Sequence, residues 1–527
     1  MHRNMRVALS LVVLGAVLAA TIGATTAKSS GKSSSMRHGG SITVLASSGY
    51  NGAWPSGLDP ATNTNGAANQ SYMSSIFGQL FELGAGGKII PDLATGYVFS
   101  EDGKTVTLSL RAGVKFTDGT PLNAAALIWN VRRDLATPCS CQPRGVPFDK
   151  DHPVKKISDL KVQFNLTAPF AAFIHAMFDA NFSWLASPTA VTKMGADAFK
   201  LKPVGAGPFV VVSNTLSSEL VLKRNPNYWK KGRPYLNAIT FKSIGGDDAA
   251  LQAMQAGQAQ AYENLSTPDL FAVARKNFTL TGSLSTSPYD IQLNTAIPPF
   301  NDKNARLAIY YATDAAAINK NIFHGLFAIT QGFTAPGGLF YQPKVPGYPT
   351  YDLAKAKALV QQLGGLTVDL GTINVLVANQ SITALQTQWQ AAGIKVTTHN
   401  YDLLPLINAF TSGKWQAMLQ TDGSWDPAAG VGVNFRFSST SPFSGVHDPK
   451  LDAILAAAGA TLDPAKRKVG YAQAQKYMSD NALGPNLFAF APANVAVKGL
   501  VGPGLTSPLP AVVVNPTIPW EEVGYTK

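Results

Sequence analysis

The segment at residues 203–229 constrains the fold more than any other part of the chain. It opens with two prolines and two glycines in Pro203-Val204-Gly205-Ala206-Gly207-Pro208, a rigid and tightly turned stretch that few helices accept. Two runs rich in β-forming residues follow at 209–212 and 219–223, with a short polar turn between them. This pattern predicts a β-hairpin. A second turn at 225–229 ends the segment with two aromatic residues.

Three other segments share with this hairpin a resemblance to one protein family. Residues 90–94 read Ile-Pro-Asp-Leu-Ala, residues 100–104 read Ser-Glu-Asp-Gly-Lys, and residues 110–122 contain Leu-Arg-Ala-Gly-Val-Lys-Phe-Thr-Asp-Gly. Together with 203–229 they resemble the signature blocks of bacterial solute-binding protein family 5, the peptide- and nickel-type receptors of ABC importers. The resemblance spans about residues 40–527. This chain departs from the family pattern at two places. Tyr97 and Phe99 stand near the position where the family usually has a tryptophan, and residues 124–126 replace an acidic pair.

The resemblance implies an α/β fold of the periplasmic-binding-protein-like type, class II, with two hinge-connected lobes and an extra subdomain. A length of 527 residues also argues for more than one core. We expect the first lobe at 41–288, with the inserted subdomain at about 85–200. The second lobe is expected at 289–490, and residues 491–527 are expected to return to the first lobe.

Two long helices are predicted from spacing and capping. Met73, Ile76, Phe77, Leu80 and Phe81 recur at helical intervals, which predicts a helix over 71–83. The sequence Asn301-Asp302 supplies an N-terminal cap and predicts a helix over 303–323.

The N-terminus has the pattern of an export signal. Arg3 and Arg6 precede an apolar run at 7–23, and small residues follow up to Ala27. We expect residues 1–27 to be a cleaved signal peptide, with a retained anchor as the alternative, and 28–40 to be a flexible Ser/Gly/Lys-rich tether. No cysteine precedes Cys139, so no lipoprotein cysteine is expected. These features predict a location in the periplasmic or cell-wall space, at the outer face of the cytoplasmic membrane.

Composition and charge favour a globular binding protein that has no nucleic-acid partner. Hydrophobic residues make up 46% of the chain and charged residues 14%, which is typical of a folded chain. The net charge is +12, but the longest basic cluster is only Trp229-Lys230-Lys231-Gly232-Arg233. No basic helix or stacking motif accompanies it. We expect a monomer.

The two cysteines, Cys139 and Cys141, leave three readings open. Export makes a disulfide chemically possible, although a ring closed over one residue is strained. Free thiols are the second reading. A zinc site is the third, and it would need two more ligands. No resident metal is expected on this sequence.

Motifs for catalysis are absent from the sequence. It contains no Gly-x-Ser-x-Gly, no phosphate-binding Gly-Lys-Ser/Thr loop and no His-Glu-x-x-His. A spatial pair of carboxylates for glycoside hydrolysis is the alternative that sequence alone leaves open. We therefore expect no enzyme and no cofactor, with an exported hydrolase as the least favoured alternative.

Residues 420–427 are the leading candidate for ligand contact. By resemblance to the family, the loop Gln-Thr-Asp-Gly-Ser-Trp-Asp-Pro lines the cleft. Trp425 would cover an apolar part of the solute, with packing within a lobe as the alternative, and Asp426 matches the family's terminal Asp-Pro. Peptide receptors of the family often carry an acid for the ligand's α-ammonium where Gly423 stands here. Asp422, one position away, is the candidate replacement, with a simple turn residue as the alternative.

Two further loops are expected to face the cleft by the same resemblance. One, 59–69, offers the amides of Asn63, Asn65 and Asn69. The other, 138–147, offers Arg144, which would meet a carboxylate or else be a solvated loop charge.

These expectations combine into one function and its alternatives. We expect an exported receptor that captures a peptide or peptide-sized solute by lobe closure and delivers it to an ABC permease. A wall-associated binding or sensor module without transport is the second class.

Overall fold

A computed structural model describes residues 36–49, 51–66, 68–137, 145–421, 423, 425–428, 432–511 and 516–527. The predicted signal peptide and most of the tether therefore lie outside the described residues, as do Cys139, Cys141, Arg144 and Asp422. Among the residues that are described, no helix is both long and apolar enough to cross a bilayer.

Helices and strands alternate along most of the chain, as the α/β prediction requires. The helices are Gln70–Phe77 (α1), Ala124–Ala136 (α2), Phe173–Ala176 (α3), Pro188–Met194 (α4), Ala196–Phe199 (α5), Asp247–Gln255 (α6), Asp269–Asn277 (α7), Lys303–Ala312 (α8), Ala315–Phe323 (α9), Leu353–Gln362 (α10), Leu376–Ala391 (α11), Leu403–Thr411 (α12), Val433–Phe437 (α13), Pro449–Ala460 (α14) and Pro464–Asp480 (α15).

The strands are short, and most belong to three sheets. They are Met36–Arg37 (β1), Ser41–Ser47 (β2), Phe81–Leu83 (β3), Ile89–Pro91 (β4), Ala94–Phe99 (β5), Thr105–Leu110 (β6), Val154–Ser158 (β7), Lys161–Asn165 (β8), Phe209–Thr215 (β9), Glu219–Arg224 (β10), Ala238–Ile244 (β11), Ala261–Leu265 (β12), Thr279–Gly282 (β13), Tyr289–Leu293 (β14), Ala328–Ile329 (β15), Leu366–Ile373 (β16), Ile394–Tyr401 (β17), Ala417–Thr421 (β18), Phe488–Ala489 (β19), Ala493–Ala496 (β20), Leu500–Val501 (β21) and Gly524–Thr526 (β22).

The strands form three larger sheets and three smaller ones among the described residues. A seven-stranded sheet has the order β13-β20-β12-β2-β11-β10-β9, and its β2 pairs in parallel with both β11 and β12. A four-stranded sheet has the order β14-β18-β16-β17, and an antiparallel one has the order β5-β6-β8-β7. The smaller sheets are β1-β22-β21, β15-β19 and β3-β4.

The chain leaves the seven-stranded sheet at 283–288, between β13 and β14, and comes back to it at 490–492, between β19 and β20. We call the part up to residue 282 together with the part after 492 the first lobe, and residues 289–489 the second lobe. These borders are working definitions, and the exact division of the chain stays a prediction.

The 203–229 segment forms the expected hairpin, β9 and β10, paired in antiparallel fashion. Its two glycines allow close packing, because a Cβ at Gly205 or Gly207 would overlap the backbone of Ile76 at the end of α1. The Asn225 side chain donates a 2.9 Å hydrogen bond to the carbonyl oxygen of Gly207. The Arg111 guanidinium lies 4.2 Å from the centroid of the Trp229 ring. The motif therefore packs against α1 and Arg111 within the first lobe.

Two predicted helices are shorter than expected. Helix α1 ends at Phe77 because Gly78 has a left-handed φ of 67°, and residues 81–83 form strand β3 instead. The predicted helix over 303–323 is divided into α8 and α9. The Asp314 side chain accepts a 2.9 Å hydrogen bond from the backbone N–H of Ala317, so it caps the start of a new helix.

Each lobe has its own hydrophobic core, and one further cluster spans both lobes. Trp54, Phe77 and Trp520 are buried in the first lobe's cluster, and Trp389 is buried in that of the second. The shared cluster joins β5, β6, β8 and α3 to α14 and α15. The backbone N–H of Ala171 donates a 2.9 Å hydrogen bond to the carbonyl oxygen of Gly459 across this boundary. The lobes are thus in direct contact.

Candidate functional site

The candidate site lies where the loop after β18 meets the first lobe. The Trp425 side chain is 2% exposed, and a Cβ at Gly87 would overlap its indole ring, so the ring packs directly on the Gly87 backbone. The carbonyl oxygen of Trp425 accepts a 3.2 Å hydrogen bond from the N–H of Leu339 in the second lobe. The indole N–H has no hydrogen-bond partner among the described residues. Trp425 therefore connects the lobes and retains one unused donor.

Asp426, next to it, is fully buried and paired. Arg467 on α15 donates through Nη2 to the Asp426 carboxylate. The second carboxylate oxygen accepts a 3.1 Å hydrogen bond from the backbone N–H of Ala428. The Arg467 guanidinium lies 5.2 Å from the Phe340 ring centroid and 5.9 Å from that of Tyr471. The two rings are themselves 5.3 Å apart, so both contact the guanidinium from the same side and help to keep the pair in place.

A histidine from the first lobe faces this ion pair. His175 Nδ1 is 3.8 Å from the nearer Asp426 carboxylate oxygen. Burial lowers the pKa of His175, and the Arg467 charge lowers it further, while Asp426 opposes the shift. The imidazole is therefore neutral near pH 7. The sequence offered no signal for His175 or Arg467, because each pairs with a residue far away in the chain.

The three predicted asparagines are used within their own loop. Asn63 Nδ2 lies 3.3 Å from Asn69 Oδ1, and Asn69 Nδ2 donates to the carbonyl oxygens of Asn51 and Ala53 at 3.0 and 3.1 Å. Asn65 Nδ2 also donates to the Ala53 carbonyl oxygen, at 2.6 Å. These bonds shape the loop. Solute contact by Asn63, Asn65 and Asn69 stays a prediction.

An ion pair fastens the same loop to helix α2 within the first lobe. Asp59, 1% exposed, accepts hydrogen bonds from both terminal nitrogens of Arg133 on α2. Such a bidentate pair fixes the orientation of the loop as well as neutralising its charge.

Four further candidates lie outside the described residues. The predicted contacts of Asp422 and Arg144 and the state of Cys139 and Cys141 therefore stay predictions.

A second polar array lies on the second lobe's sheet, in strands β14 and β18. Asp290 is opposite Gln420 in the β14–β18 register, and Gln420 donates to Gln292 Oε1. Gln292 Nε2 donates a 2.6 Å hydrogen bond to the carbonyl oxygen of Arg436. Burial raises the pKa of Asp290 to about 7, with the Arg436 charge opposing the rise. The strand alternation that placed these residues on one face is visible in the sequence, but their burial is not.

Comparisons with known proteins now decide the family. The family model described as "Bacterial extracellular solute-binding proteins, family 5 Middle" matches residues 88–444. The chain belongs to this family. The predicted membership is confirmed, and a protein of this family works outside the cytoplasm as a solute-binding protein.

Relatives and solved structures agree with this assignment. The chain is 29% identical over 404 residues to the glutathione-binding protein GsiB of Salmonella choleraesuis, covering 76% of this chain and 75% of the relative. The ABC transporter substrate-binding protein CtaP of Listeria monocytogenes has a TM-score of 0.76 at 20% identity, over 93% of this chain and 100% of that one. DppA of Helicobacter pylori, in complex with the peptide STSA, has a TM-score of 0.74 at 20% identity, over 93% and 99%. The two-lobed α/β fold is thereby confirmed.

Proposed function

We propose that the protein is the receptor of an ABC importer, that it captures a peptide or peptide-sized solute between its lobes, and that it delivers this solute to a membrane permease. The observation that carries the proposal is the contact of the Trp425–Asp426 loop with Gly87 and His175 of the first lobe. Contacts of one loop to both lobes exist only when the lobes are closed, so a solute held there shifts the population toward the closed form.

The solute class follows from relatives and from the loop itself. Relatives include a glutathione-binding protein and a structure with a bound tetrapeptide. Trp425 supplies a large apolar surface with one polar N–H, which suits a ligand that is part apolar and part amide. Asp422 is the proposed partner of a free ammonium group. The family's peptide receptors commonly carry an acid at the position of Gly423. Its absence here is compatible with solutes that have no free ammonium group.

Titration of the exported protein with defined solutes tests the proposal. Isothermal titration calorimetry with reduced glutathione, Met-Leu and Ser-Thr-Ser-Ala should reveal binding of at least one. Solution scattering with that solute should show a smaller radius of gyration than without it. Binding of none of the three, together with no co-purified solute by native mass spectrometry, would contradict the proposal. Intact mass of the same preparation checks the predicted removal of residues 1–27.

A further inference from the structure

Helix α15 carries a line of buried polar side chains that the proposed site uses only at one end. Arg467, Tyr471, Gln475 and Ser479 recur every four residues, so they lie on one face of the helix. All four are at most 5% exposed. The line extends about 18 Å along the helix. Its first member pairs with Asp426 beside Trp425, so the line begins at the candidate site.

One residue in the far half of this line, Gln475, lies against a segment that carries two threonines. A Cβ at Gly332 would overlap Gln475 Oε1, so the 330–334 segment lies directly against Gln475. Thr330 and Thr334 flank Gly332 in the chain and are 1% and 2% exposed. The next residue, Ala335, donates a 3.1 Å hydrogen bond to the carbonyl oxygen of Thr286 in the passage between the lobes. Through the 330–335 segment, the line on α15 is thus connected to residues 283–288, the passage between the lobes, which we call the hinge.

Polar atoms of this region are buried without partners. Among the described residues, neither polar atom of Gln475 has a hydrogen-bond partner, and the same holds for the side-chain hydroxyls of Thr286, Thr330, Thr334 and Ser479. A buried polar group without a partner costs about 1–3 kcal/mol, so we expect each of these six atoms to have a partner. An ordered water or a polar group of a bound solute would supply such a partner.

We propose that Thr286, Thr330, Thr334, Gln475 and Ser479, together the hinge strip, bind the uncharged amide backbone of the captured solute. All five side chains are neutral, so they suit a neutral ligand group better than an ion. Gln475 presents one acceptor and two donors, which is the complement of a peptide amide. The charged residue of the line, Arg467, is already engaged by Asp426. This inference depends on the proposed function and adds the chemistry that the inner end of the cleft recognises.

Replacement of Gln475 by leucine tests the hinge strip. The probes are reduced glutathione, Met-Leu and Ser-Thr-Ser-Ala, together with a copy of the tetrapeptide in which the amide nitrogens are methylated. For a probe that the wild-type protein binds, Gln475→Leu should weaken binding about tenfold or more, and the loss should be larger for the normal tetrapeptide than for the methylated one. Gly332→Ala should act in the same direction, because its methyl group displaces the Gln475 amide.

A matched control and a conservative variant separate the outcomes. Gln386→Leu removes a glutamine of α11 that donates a 3.1 Å hydrogen bond to the Val396 carbonyl oxygen, and it should leave affinity unchanged. If Gln475→Leu does not fold, Gln475→Glu, which keeps the shape but loses the donors, takes its place with the same expectation. Unchanged affinity with a raised melting temperature would overturn the hinge strip and leave the receptor function standing. Failure of the wild-type protein to bind any probe would instead overturn the receptor function, and the hinge strip with it.

Discussion

Two buried charge clusters of this protein differ in what they connect. Lys230 contacts three carboxylates, with Nζ 2.5 Å from Glu82, 3.0 Å from Asp92 and 3.0 Å from Glu521. All four residues belong to the first lobe, although they come from three distant parts of the chain. The Asp426–Arg467 pair, in contrast, belongs to the second lobe and faces His175 of the first. One cluster is internal to a lobe, and the other lies at the boundary between lobes.

The position of each cluster determines how it responds to movement of the lobes. The three carboxylates around Lys230 all belong to the first lobe, so we expect lobe closure to leave this cluster unchanged. The surroundings of Asp426 change when His175 and Gly87 move away, so the energy of that pair depends on closure. Burial, together with the charges of Glu521 and Asp92, raises the pKa of Glu82 to about 7 despite the opposing charge of Lys230. A net excess of acid around a single cation makes the Lys230 cluster sensitive to loss of that cation.

Replacement of Lys230 by methionine should have the largest effect on stability. It leaves three carboxylates of the first lobe without their cation, and breaking a buried charge cluster in this way costs about 3–5 kcal/mol. The loss should be greatest near pH 8 and smaller near pH 5, because the carboxylates then take up protons and lose their charge. Denaturant unfolding at both pH values measures the difference.

Lys242→Met is the matched control for this prediction. Lys242 is half-exposed and pairs with Glu219 at 3.1 Å on the same sheet. A surface pair of this kind contributes about 0–1 kcal/mol, so this variant should be nearly as stable as the wild-type protein. Equal losses for the two lysines would show that the Lys230 cluster is no more than a surface network.

Replacement of Arg467 by methionine should affect closure as well as stability. Asp426 loses its cation, and we expect a loss of about 2–4 kcal/mol, less than at Lys230, because water reaches the pair when the lobes part. Solution scattering should show a larger radius of gyration in the presence of a bound probe. Arg467→Lys keeps the charge but not the planar guanidinium. Its stability and its radius of gyration should lie between those of the wild-type protein and of Arg467→Met. A loss of stability with normal closure would place the pair in the core of the second lobe.

The hairpin and the sheet-forming runs of this fold are predictable from the sequence, since they depend on neighbours in the chain. The hairpin expected at 209–223 is present as β9 and β10. The helix ends at Gly78 and Thr313 were missed, because a left-handed glycine and an internal aspartate cap look ordinary in an apolar run. At the candidate site, a motif singled out Trp425, and its contact with solute stays a prediction. The pairing of Asp426 with Arg467, 41 residues away, was not predictable, because it depends on the tertiary fold.

Glu263 offers a sharper comparison with Lys230, because it is a buried acid of the first lobe that has hydrogen bonds but no cation. It is 2% exposed and accepts a 3.1 Å hydrogen bond from the Trp520 indole N–H. Burial raises its pKa from 4.5 to about 7. The folded state then binds more protons than the unfolded state between these values, so this group's contribution to stability falls as pH rises from about 4.5 to 7 and stays low above.

Glu263→Gln removes this titration while keeping an acceptor for Trp520. The variant should therefore be more stable than the wild-type protein at pH 8 by roughly 1–3 kcal/mol and should differ little at pH 4.5. Melting temperatures of both proteins across this pH range measure the effect. A difference that does not change with pH would mean that the pKa of Glu263 is the same in the folded and the unfolded protein.

Replacement of Trp425 by alanine should give the smallest change in free energy, and it tests the contact between the lobes most directly. Its ring packs on Gly87 across the lobes, so its removal should weaken probe binding by about 1–2 kcal/mol, or 5- to 30-fold, through loss of apolar contact in the closed form. The melting temperature without solute should change little, because the ring is freed from Gly87 whenever the lobes part. Trp389→Ala is the contrasting variant, since Trp389 is fully buried in the second lobe's core and should cost about 3–5 kcal/mol of stability. If Trp425→Ala behaves like Trp389→Ala, with a sharp fall in melting temperature and unchanged affinity, then Trp425 is a packing residue, and the solute lies elsewhere in the cleft.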